Sequence, residues 1–234
     1  RMGKNVGEMT ISEADEQKIA RLMVGSETSL PQRDEAIIGA PVLHLKALSV
    51  AGRTKRDSLK DANLTVLGGE ILGIAGVSGN GQAALAGVLS GMTTPESGKI
   101  ILKNRELKKI NPASMIAEGV GRIPEDRLRD GIVGSMSVAE NMIIEGINGQ
   151  EFQKNGLLKP DNITNHAEAL SKDYDVRGAG SAARAQLLSG GNIQKLILAR
   201  VFNKNPVLIL ANQPTRGLDM GAAVDVAQRL IEAR

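Results

Sequence analysis

The chain has 234 residues, of which 41% are hydrophobic and 24% charged, as is typical of globular domains. It contains no cysteine, which excludes disulfide bonds and thiolate-bound metals. The net charge is +3, charges of both signs are interleaved and the aromatic share is 1%, so we expect no nucleic-acid partner.

The first forty residues differ from the rest of the chain in their pattern of apolar and polar residues. Ile19, Leu22 and Met23 can share one helical face, and the polar stretch GSETSLPQRDEAIIGAP follows them. We therefore expect residues 1–25 to be the tail of a preceding domain and residues 26–40 to be a linker.

From residue 41 the sequence predicts strands. VLHLKALSV alternates, which places Leu43, Leu45 and Ala47 on one face. DANLTVLGG predicts a second strand with a Gly-Gly turn, and GKIILKN predicts another. EILGIAGV is a continuous apolar run of the kind found in strands that are buried on both faces.

The middle of the chain is mainly helical in character. PASMIAEGV predicts a short helix from Pro112, MSVAENMIIEG a helix capped by Ser137, and NITNHAEALSKDYDV a helix with Ile163, Ala167 and Leu170 on one face. NIQKLILARVFNKN predicts a further helix, and PVLILANQPT a buried strand with a polar tip. This order predicts an α/β domain around a parallel sheet.

The closing stretch DMGAAVDVAQRLIEAR carries Val226, Leu230 and Ile231 at helical spacing. Because no stop signal follows them, we expect the domain that starts near residue 41 to continue past residue 234.

Three loop motifs have features that suit phosphate groups. GVSGNGQAAL, residues 76–85, keeps the glycine spacing of a phosphate-binding loop between a strand and a helix. LLSGGNIQK combines a serine N-cap with two glycines that let backbone donors approach a ligand. LILANQPTRGLD puts polar residues at the carboxyl end of a strand, where α/β proteins bind ligands. Each motif taken alone also fits an ordinary turn or helix junction.

Together and in this order, the motifs resemble the nucleotide-binding domain of ATP-binding cassette (ABC) transporters over residues 41–234. LSGGN resembles the signature motif, the strand with NQPT the Walker B region, and RGLD the D-loop. GRIPEDRLRDGIV resembles the stretch around the Q-loop, with Glu125 in or near the glutamine position. The resemblance implies an α/β fold of the P-loop NTPase, ABC type, with a parallel sheet core, an antiparallel β subdomain and a helical subdomain.

A finer resemblance concerns one group within that family. PEDRLRDGIV, LSGGNIQK and QPTRGLD resemble the second ATPase half of simple-sugar and nucleoside importers, whose two cassettes lie in one chain. ARLMVGSE near the N-terminus resembles the end of the first half. The transported substrate cannot be read from these motifs.

The resemblance implies two sets of site residues. The nucleotide-binding positions of this half are Gly76, Ser78, Gly79, Asn80, Gly81, Gln82, Ala83, Ala84 and Glu125. The signature and D-loop positions are Leu188, Ser189, Gly190, Gly191, Asn192 and Asp219. In the family, each ATP lies between one Walker A loop and the signature motif of the other domain, so the second set would serve the partner's site.

Four residues depart from the family pattern in this half's own site. Gln82 stands where a lysine neutralises phosphate, and Ala83 where a hydroxyl group ligates magnesium. Asn212 stands in the place of the Walker B aspartate, and Gln213 in that of the glutamate that polarises water. We therefore expect no catalytic residue and no metal site in this half, with ATP bound weakly or not at all and Mg²⁺ not held.

Two further family features are missing. No aromatic residue occurs near SVAGRTKRD to stack on adenine, so Val50 or Arg53 would have to contact the base. His44 and His166 both precede the D-loop, so neither fits the family's switch histidine, and we expect structural or solvent roles for them.

The resemblance also implies partners and a location. These are another nucleotide-binding domain, expected in the first half of the same chain, and permease subunits in the membrane. An extracytoplasmic substrate-binding protein would act indirectly, and the chain would lie on the cytoplasmic face of the membrane. Two alternatives stay open, a catalytically competent ATPase with nonstandard residues and a soluble cassette protein outside transport.

Overall fold

The computed structural model describes residues 5–15, 18–19, 22, 31, 34–52, 54–178 and 180–234. Met23 and much of the expected tail and linker lie outside these residues, so that division of the chain stays a prediction. Among the helices of the described residues, none is both long enough and apolar enough to cross a membrane.

The elements follow one another from residue 41 onward. The strands are β1 (Pro41–Val50), β2 (Leu59–Leu67), β3 (Ser97–Leu102), β4 (Arg105–Glu106), β5 (Val120–Ile123), β6 (Gln153–Lys154), β7 (Leu157–Leu158) and β8 (Leu208–Ala211). The α-helices are α1 (Gln82–Leu89), α2 (Pro112–Ala117), α3 (Val138–Ile143), α4 (Pro160–Asp173), α5 (Gly190–Phe202) and α6 (Met220–Glu232). A π-helix spans Arg127–Gly131, and a 3₁₀ turn spans Ala185–Leu187.

An antiparallel sheet forms the first half of the domain, in the strand order β2-β1-β3-β4. Its inner face and helix α1 share one apolar core. Leu43 and Leu45 point into that core as expected, but Ala47 is exposed and Leu48 is buried instead. The cause is an irregularity between Leu45 and Leu48, where Ala47 has a φ of 47°. An extra residue in a strand reverses the alternation of its side chains.

The parallel sheet is smaller than the sequence predicts. β5 and β8 pair in parallel, from Val120 opposite Leu208 to Ile123 opposite Ala211. The expectation of a buried strand at EILGIAGV is wrong, because residues 70–77 form no strand.

Side chains of that run are exposed, with Ile71 at 57%, Leu72 at 39% and Ile74 at 53%. No strand among the described residues pairs with residues 70–77, and β8 has β5 as its one neighbour there. A buried strand needs packing on both faces and a neighbouring strand on each edge. Among the described residues, the segment 70–77 has neither, so its apolar side chains remain exposed to solvent. For the same reason, β8 is half-buried rather than fully buried.

A second core lies among the helices. Ile163, Ala167 and Leu170 of α4 are buried in it, as their spacing predicts, together with the apolar residues of α5. Ser137 caps α3 through a capping box with Glu140, which confirms the expected cap. The predicted helices from Pro112, over NIQKLILARVF and over the closing stretch are also confirmed, by α2, α5 and α6.

Strand β5 connects the two cores. Val120 at its start packs with the antiparallel sheet, whereas Ile123 at its end packs with the helices. The Q-loop stretch therefore leaves β5 where the two halves of the domain meet.

A buried amide fixes the loop that leads into α3. Asn141 is fully buried, and its Oδ1 accepts a hydrogen bond from Val133 N at 2.8 Å. Its Nδ2 donates to Val133 O at 3.0 Å and to Ser137 O at 2.9 Å. Because the Asn141 side chain is shielded from water, its amide group depends on these partners, and Val133 N in turn depends on Asn141 Oδ1.

A buried cation anchors the preceding turn to α5. Arg200 is 7% exposed, its Nη2 donates to Gly131 O at 2.8 Å, and its Nε lies 3.3 Å from Glu145 Oε1. Burial lowers the pKa of Arg200, and the Glu145 carboxylate opposes that shift. The end of the π-helix is thus attached to the last turn of α5.

We predict that Asn141→Ala lowers the free energy of unfolding by about 1–3 kcal/mol, since Val133 N loses its acceptor and two backbone carbonyl groups each lose one of their donors. Asn148→Ala, at an exposed position, is the control and should change it by less than about 0.5 kcal/mol. Urea denaturation measures both values, and equal effects of the two substitutions would contradict the role given to Asn141.

Candidate functional site

The glycine loop (residues 76–84) has the backbone form of an anion-binding turn. Gly79 and Gly81 have φ values of 87° and 90°, in the left-handed region that favours glycine. Gly81 is the N-cap of α1, and no side chain caps that helix. The first N–H groups of α1 are therefore free of a side-chain acceptor, as an anion would require.

The loop is open to solvent at most of its candidate positions. Gly76, Ser78, Asn80 and Ala83 are exposed, Gly79 and Gln82 are half-buried, and Gly81 and Ala84 are buried. The predicted nucleotide-binding residues of the loop therefore share one surface, with their buried members facing the core.

Neighbouring side chains change the electrostatics of the loop. The Gln82 amide folds back over Gly76, where a Cβ atom would lie 2.6 Å from Nε2. Arg56 Nε donates to Asn80 Oδ1 at 2.9 Å, and Asp57 Oδ1 lies 3.1 Å from the Cβ position of Gly79. A guanidinium group and a carboxylate, of opposite charge, thus both lie at the mouth of the loop, and Gln82 adds no charge to them.

Neither candidate for the adenine contact can be supported. Val50 is fully buried in the core of the antiparallel sheet, so that expectation is wrong for this residue. Arg53 lies outside the described residues.

The signature loop (residues 188–192) is held in a defined conformation. Ser189 caps α5, and its Oγ accepts hydrogen bonds from Asn192 N at 3.4 Å and from Asn192 Nδ2 at 2.9 Å. Asn192 Oδ1 in turn accepts a hydrogen bond from Arg177 N at 2.7 Å. Because the Ser189 oxygen acts as the acceptor in both bonds, its hydroxyl hydrogen remains available to a ligand.

The other residues of the signature loop lie on either side of this cap. Leu188 is buried beneath it, and Gly190 and Gly191 form the first turn of α5. Asp175 holds the next turn of the helix, since Lys195 Nζ donates to Asp175 Oδ2 at 2.7 Å. Hydrogen bonds from Arg177 and then Lys195 lower the pKa of Asp175.

The D-loop turn (residues 213–219) follows β8. Asn212 N donates to Ile123 O at 3.0 Å, which extends the parallel ladder by one residue. Gln213 has a φ of 46° and starts the turn, and Asp219 ends it by capping α6, with Oδ1 accepting from Ala222 N at 2.9 Å. Asn212 and Gln213 thus stand at the carboxyl end of the sheet, where the sequence predicts them.

Of the predicted site residues, Glu125 contacts the D-loop turn, whereas the glycine loop is not hydrogen-bonded to the others. The Glu125 carboxylate forms an ion pair with Arg216 of the D-loop turn. Within the described residues, no hydrogen bond joins the glycine loop to Glu125, Asn212 or Gln213.

Sequence reasoning missed Arg127, whose guanidinium donates to the carbonyl oxygens of Arg216 and Gly217. No local pattern signals that contact, because Arg127 and Arg216 are 89 residues apart.

The histidines occupy structural positions. His44 Nδ1 lies 3.0 Å from Thr65 Oγ1 across the β1–β2 pair, and the His166 ring packs edge-on against Phe152 at 4.9 Å. Among the described residues, no group of three or more His, Cys, Asp or Glu residues is arranged to hold a metal ion.

Residues 59–216 match a family model described as ABC transporter. Over 100% of its length, the chain is 40% identical to the nucleoside import ATP-binding protein NupA of Lactococcus lactis subsp. cremoris, of which it covers 46%. It is 39% identical to the glucose import ATP-binding protein TsgD13 of Haloferax volcanii, covering 43% of that protein. It is 36% identical to the guanosine import ATP-binding protein NupO of Bacillus subtilis, covering 46%. The chain thus spans slightly less than half the length of these relatives.

Solved structures show the same fold. The dimeric ATP-binding cassette MJ0796, in a post-hydrolysis state with ADP and phosphate, superposes with a TM-score of 0.65 at 22% identity, over 80% of this chain and 81% of that one. The cassette MJ1267 gives a TM-score of 0.66 over 82% of this chain and 76% of the other. The α/β fold expected from the motifs is confirmed.

We predict that Gly81→Ala destabilises the protein by about 1–2 kcal/mol, because an L-residue is strained at its positive φ. Gly73→Ala is the control, since a Cβ there meets nothing within 4 Å and the backbone lies outside the left-handed region. Urea denaturation compares the two variants, and a Gly81→Ala protein as stable as the control would show that the loop adopts another conformation.

Proposed function

Because the chain belongs to the ABC transporter family, we propose that it is part of the ATP-binding subunit of an importer for simple sugars or nucleosides. The relatives NupA, TsgD13 and NupO, which are named as nucleoside, glucose and guanosine import proteins, support this substrate class. Since the chain spans less than half of each of them, the proposal for the whole subunit includes a second nucleotide-binding domain in the same protein. The other partners are permease subunits in the membrane and, through them, an extracytoplasmic substrate-binding protein, with the chain on the cytoplasmic face.

In this assignment the nucleotide site of the chain itself is degenerate. Gln82 brings no charge to phosphate and Ala83 no ligand to magnesium, while Asn212 and Gln213 remove the metal-supporting and water-polarising carboxylates. The structure adds Asp57 beside Gly79, a negative charge close to the place of an anion. Weak ATP binding without dependence on Mg²⁺ follows from these five side chains together.

The residues proposed to face a partner keep the family pattern by contrast, and the exposed Ser189 cap is the observation that supports the proposal. Ser189 is exposed, caps α5 and keeps a free hydroxyl hydrogen. The positive end of the α5 dipole lies directly behind it and favours an anionic ligand. In the proposed assembly, these donors complete an ATP site whose Walker A loop belongs to the other domain, so that hydrolysis is supported in trans.

The leading alternative is an ATPase that is competent with nonstandard residues. It requires Gln82 to replace the phosphate-binding lysine, although an amide forms a hydrogen bond only about half as strong as a charge-assisted one. A cassette protein that acts outside transport is the other alternative, and no structural observation favours it over the importer.

We predict that calorimetric titration of the chain with ATP shows weak binding that is the same with and without Mg²⁺. Restoring the missing groups together by Gln82→Lys, Ala83→Ser and Asn212→Asp should tighten binding at least about tenfold in the presence of Mg²⁺, since each restores a charge-assisted contact or a metal ligand. Tight binding of Mg·ATP by the unaltered chain would contradict the degenerate site and favour the competent ATPase.

A second prediction tests whether Ser189 donates a hydrogen bond to the partner's nucleotide or only caps α5. Ser189→Asp keeps a good N-cap but places a negative charge where the phosphate of the partner's nucleotide is proposed to lie. ATP hydrolysis by the full-length protein should fall at least about tenfold, as expected for like charges in close contact.

The matched control is Asn111→Asp, which adds the same charge at the N-cap of α2, where Asn111 Oδ1 accepts from Ser114 N at 2.9 Å. It should leave hydrolysis unchanged. If Ser189→Asp hydrolyses ATP as fast as this control, Ser189 has no role beyond capping.

A further inference from the structure

One guanidinium group lies where three segments of the chain meet. Arg127 Nη1 donates to Arg216 O at 2.7 Å, and Nη2 donates to Gly217 O at 3.0 Å. The same group contacts the signature loop, since a Cβ atom on Gly190 would be 2.9 Å from Nη2, 3.3 Å from Nε and 3.4 Å from Cζ. Arg127 therefore contacts the signature loop on one side and the D-loop turn on the other.

The base of this side chain is itself fixed. Arg127 begins the π-helix, whose N-cap Asp126 accepts hydrogen bonds from Leu128 N at 3.2 Å and from Arg129 N at 3.0 Å. At the other end of that helix, Gly131 is tied to α5 by the buried Arg200. The Cα atom of Arg127 thus has a set position relative to α5, which carries the signature loop.

A second contact joins the same segments. Two residues before Arg127, Glu125 forms its ion pair with Arg216, the residue whose carbonyl group Arg127 also binds. The backbone and the side chain of Arg216 are therefore both held by the stretch that follows β5.

We propose that Arg127 is a positioning residue that sets the spacing between the signature loop and the D-loop turn, whether or not this half holds nucleotide. Ser189 precedes Gly190, and Asp219 follows Gly217 by two residues, so both groups offered to the partner are attached to segments that this guanidinium joins. Groups held in place before binding lose less entropy when they act. The effect on hydrolysis rests on the proposed donation in trans, whereas the effect on the two segments does not.

The residue type suits this task. Arginine presents its N–H donors in a planar fork, which can serve two carbonyl groups while its Nε edge lies against a glycine. A lysine at the same place would offer a single ammonium group and would lose the contact of the Nε edge with Gly190. Gly190 has no side chain to occupy the space that the guanidinium fills.

The test uses hydrogen exchange in the full-length protein without nucleotide. Arg127→Ala should speed exchange at least about tenfold in both segments, through loss of two hydrogen bonds from a charged donor. The protected amides to follow are Asn192 and Ile193 in one segment and Arg216 and Leu218 in the other.

The control is Arg129→Ala. Arg129 lies on the same π-helix and pairs its exposed side chain with Asp130, so exchange should stay at the wild-type rate. Arg127→Lys, which keeps the charge, is the second variant should the alanine protein fail to fold, and exchange should rise in both segments there too. Unchanged exchange in either segment of the folded Arg127 variants would overturn the proposal.

Steady-state hydrolysis gives the second readout. In Arg127→Ala, kcat should fall about tenfold while KM for ATP stays within about twofold, because Arg127 is proposed to act only through the donors that it orients. Faster exchange with kcat and KM both unchanged would leave the positioning role standing and would overturn the proposed donation in trans. A rise in KM with kcat unchanged would overturn the positioning role.

Discussion

Burial of helix α5 is the constraint on which the rest of the domain depends. Ile193, Leu196, Ile197 and Leu198 are at most 1% exposed, and the helix contacts β5, the π-helix, α3, α4 and α6. Its one buried charge, Arg200, is paired and hydrogen-bonded, as a charge in such a place must be. A helix enclosed in this way cannot shift without opening the core. The loop at its N-terminus is therefore fixed by apolar packing several residues away.

The helices could be predicted from the sequence more reliably than the sheet. The helical spacing of Ile163, Ala167 and Leu170 predicts the buried face of α4, and the residue type at Ser137 predicts the N-cap of α3. Both features depend on interactions between residues that are close in sequence. The apolar run at residues 70–77 has the composition of a buried strand but lacks neighbours, and a strand needs partners that its own composition does not supply. The prediction that Ala47 lies on the buried face was wrong for a similar reason, since a bulge depends on the pairing of β1 with its neighbouring strands.

In the candidate site too, local features could be predicted from the sequence and long-range contacts could not. The glycines at 79 and 81 and the cap at Ser189 could be placed from the sequence because their roles are local backbone roles. The contacts of Glu125 and Arg127 with the D-loop turn could not, because they join segments about ninety residues apart that only the folded core brings together. The glycines at 79 and 81 are enough to explain the shape of the loop, whereas its affinity for phosphate depends on the side chains at positions 82 and 83 and stays a proposal.

The uncovered run at residues 70–77 has a practical consequence for work at the bench. Bare apolar surface beside a strand edge with free backbone groups is a template for self-association. We expect these 234 residues, produced alone, to become turbid as the concentration rises and to benefit from mild detergent or a solubilising fusion.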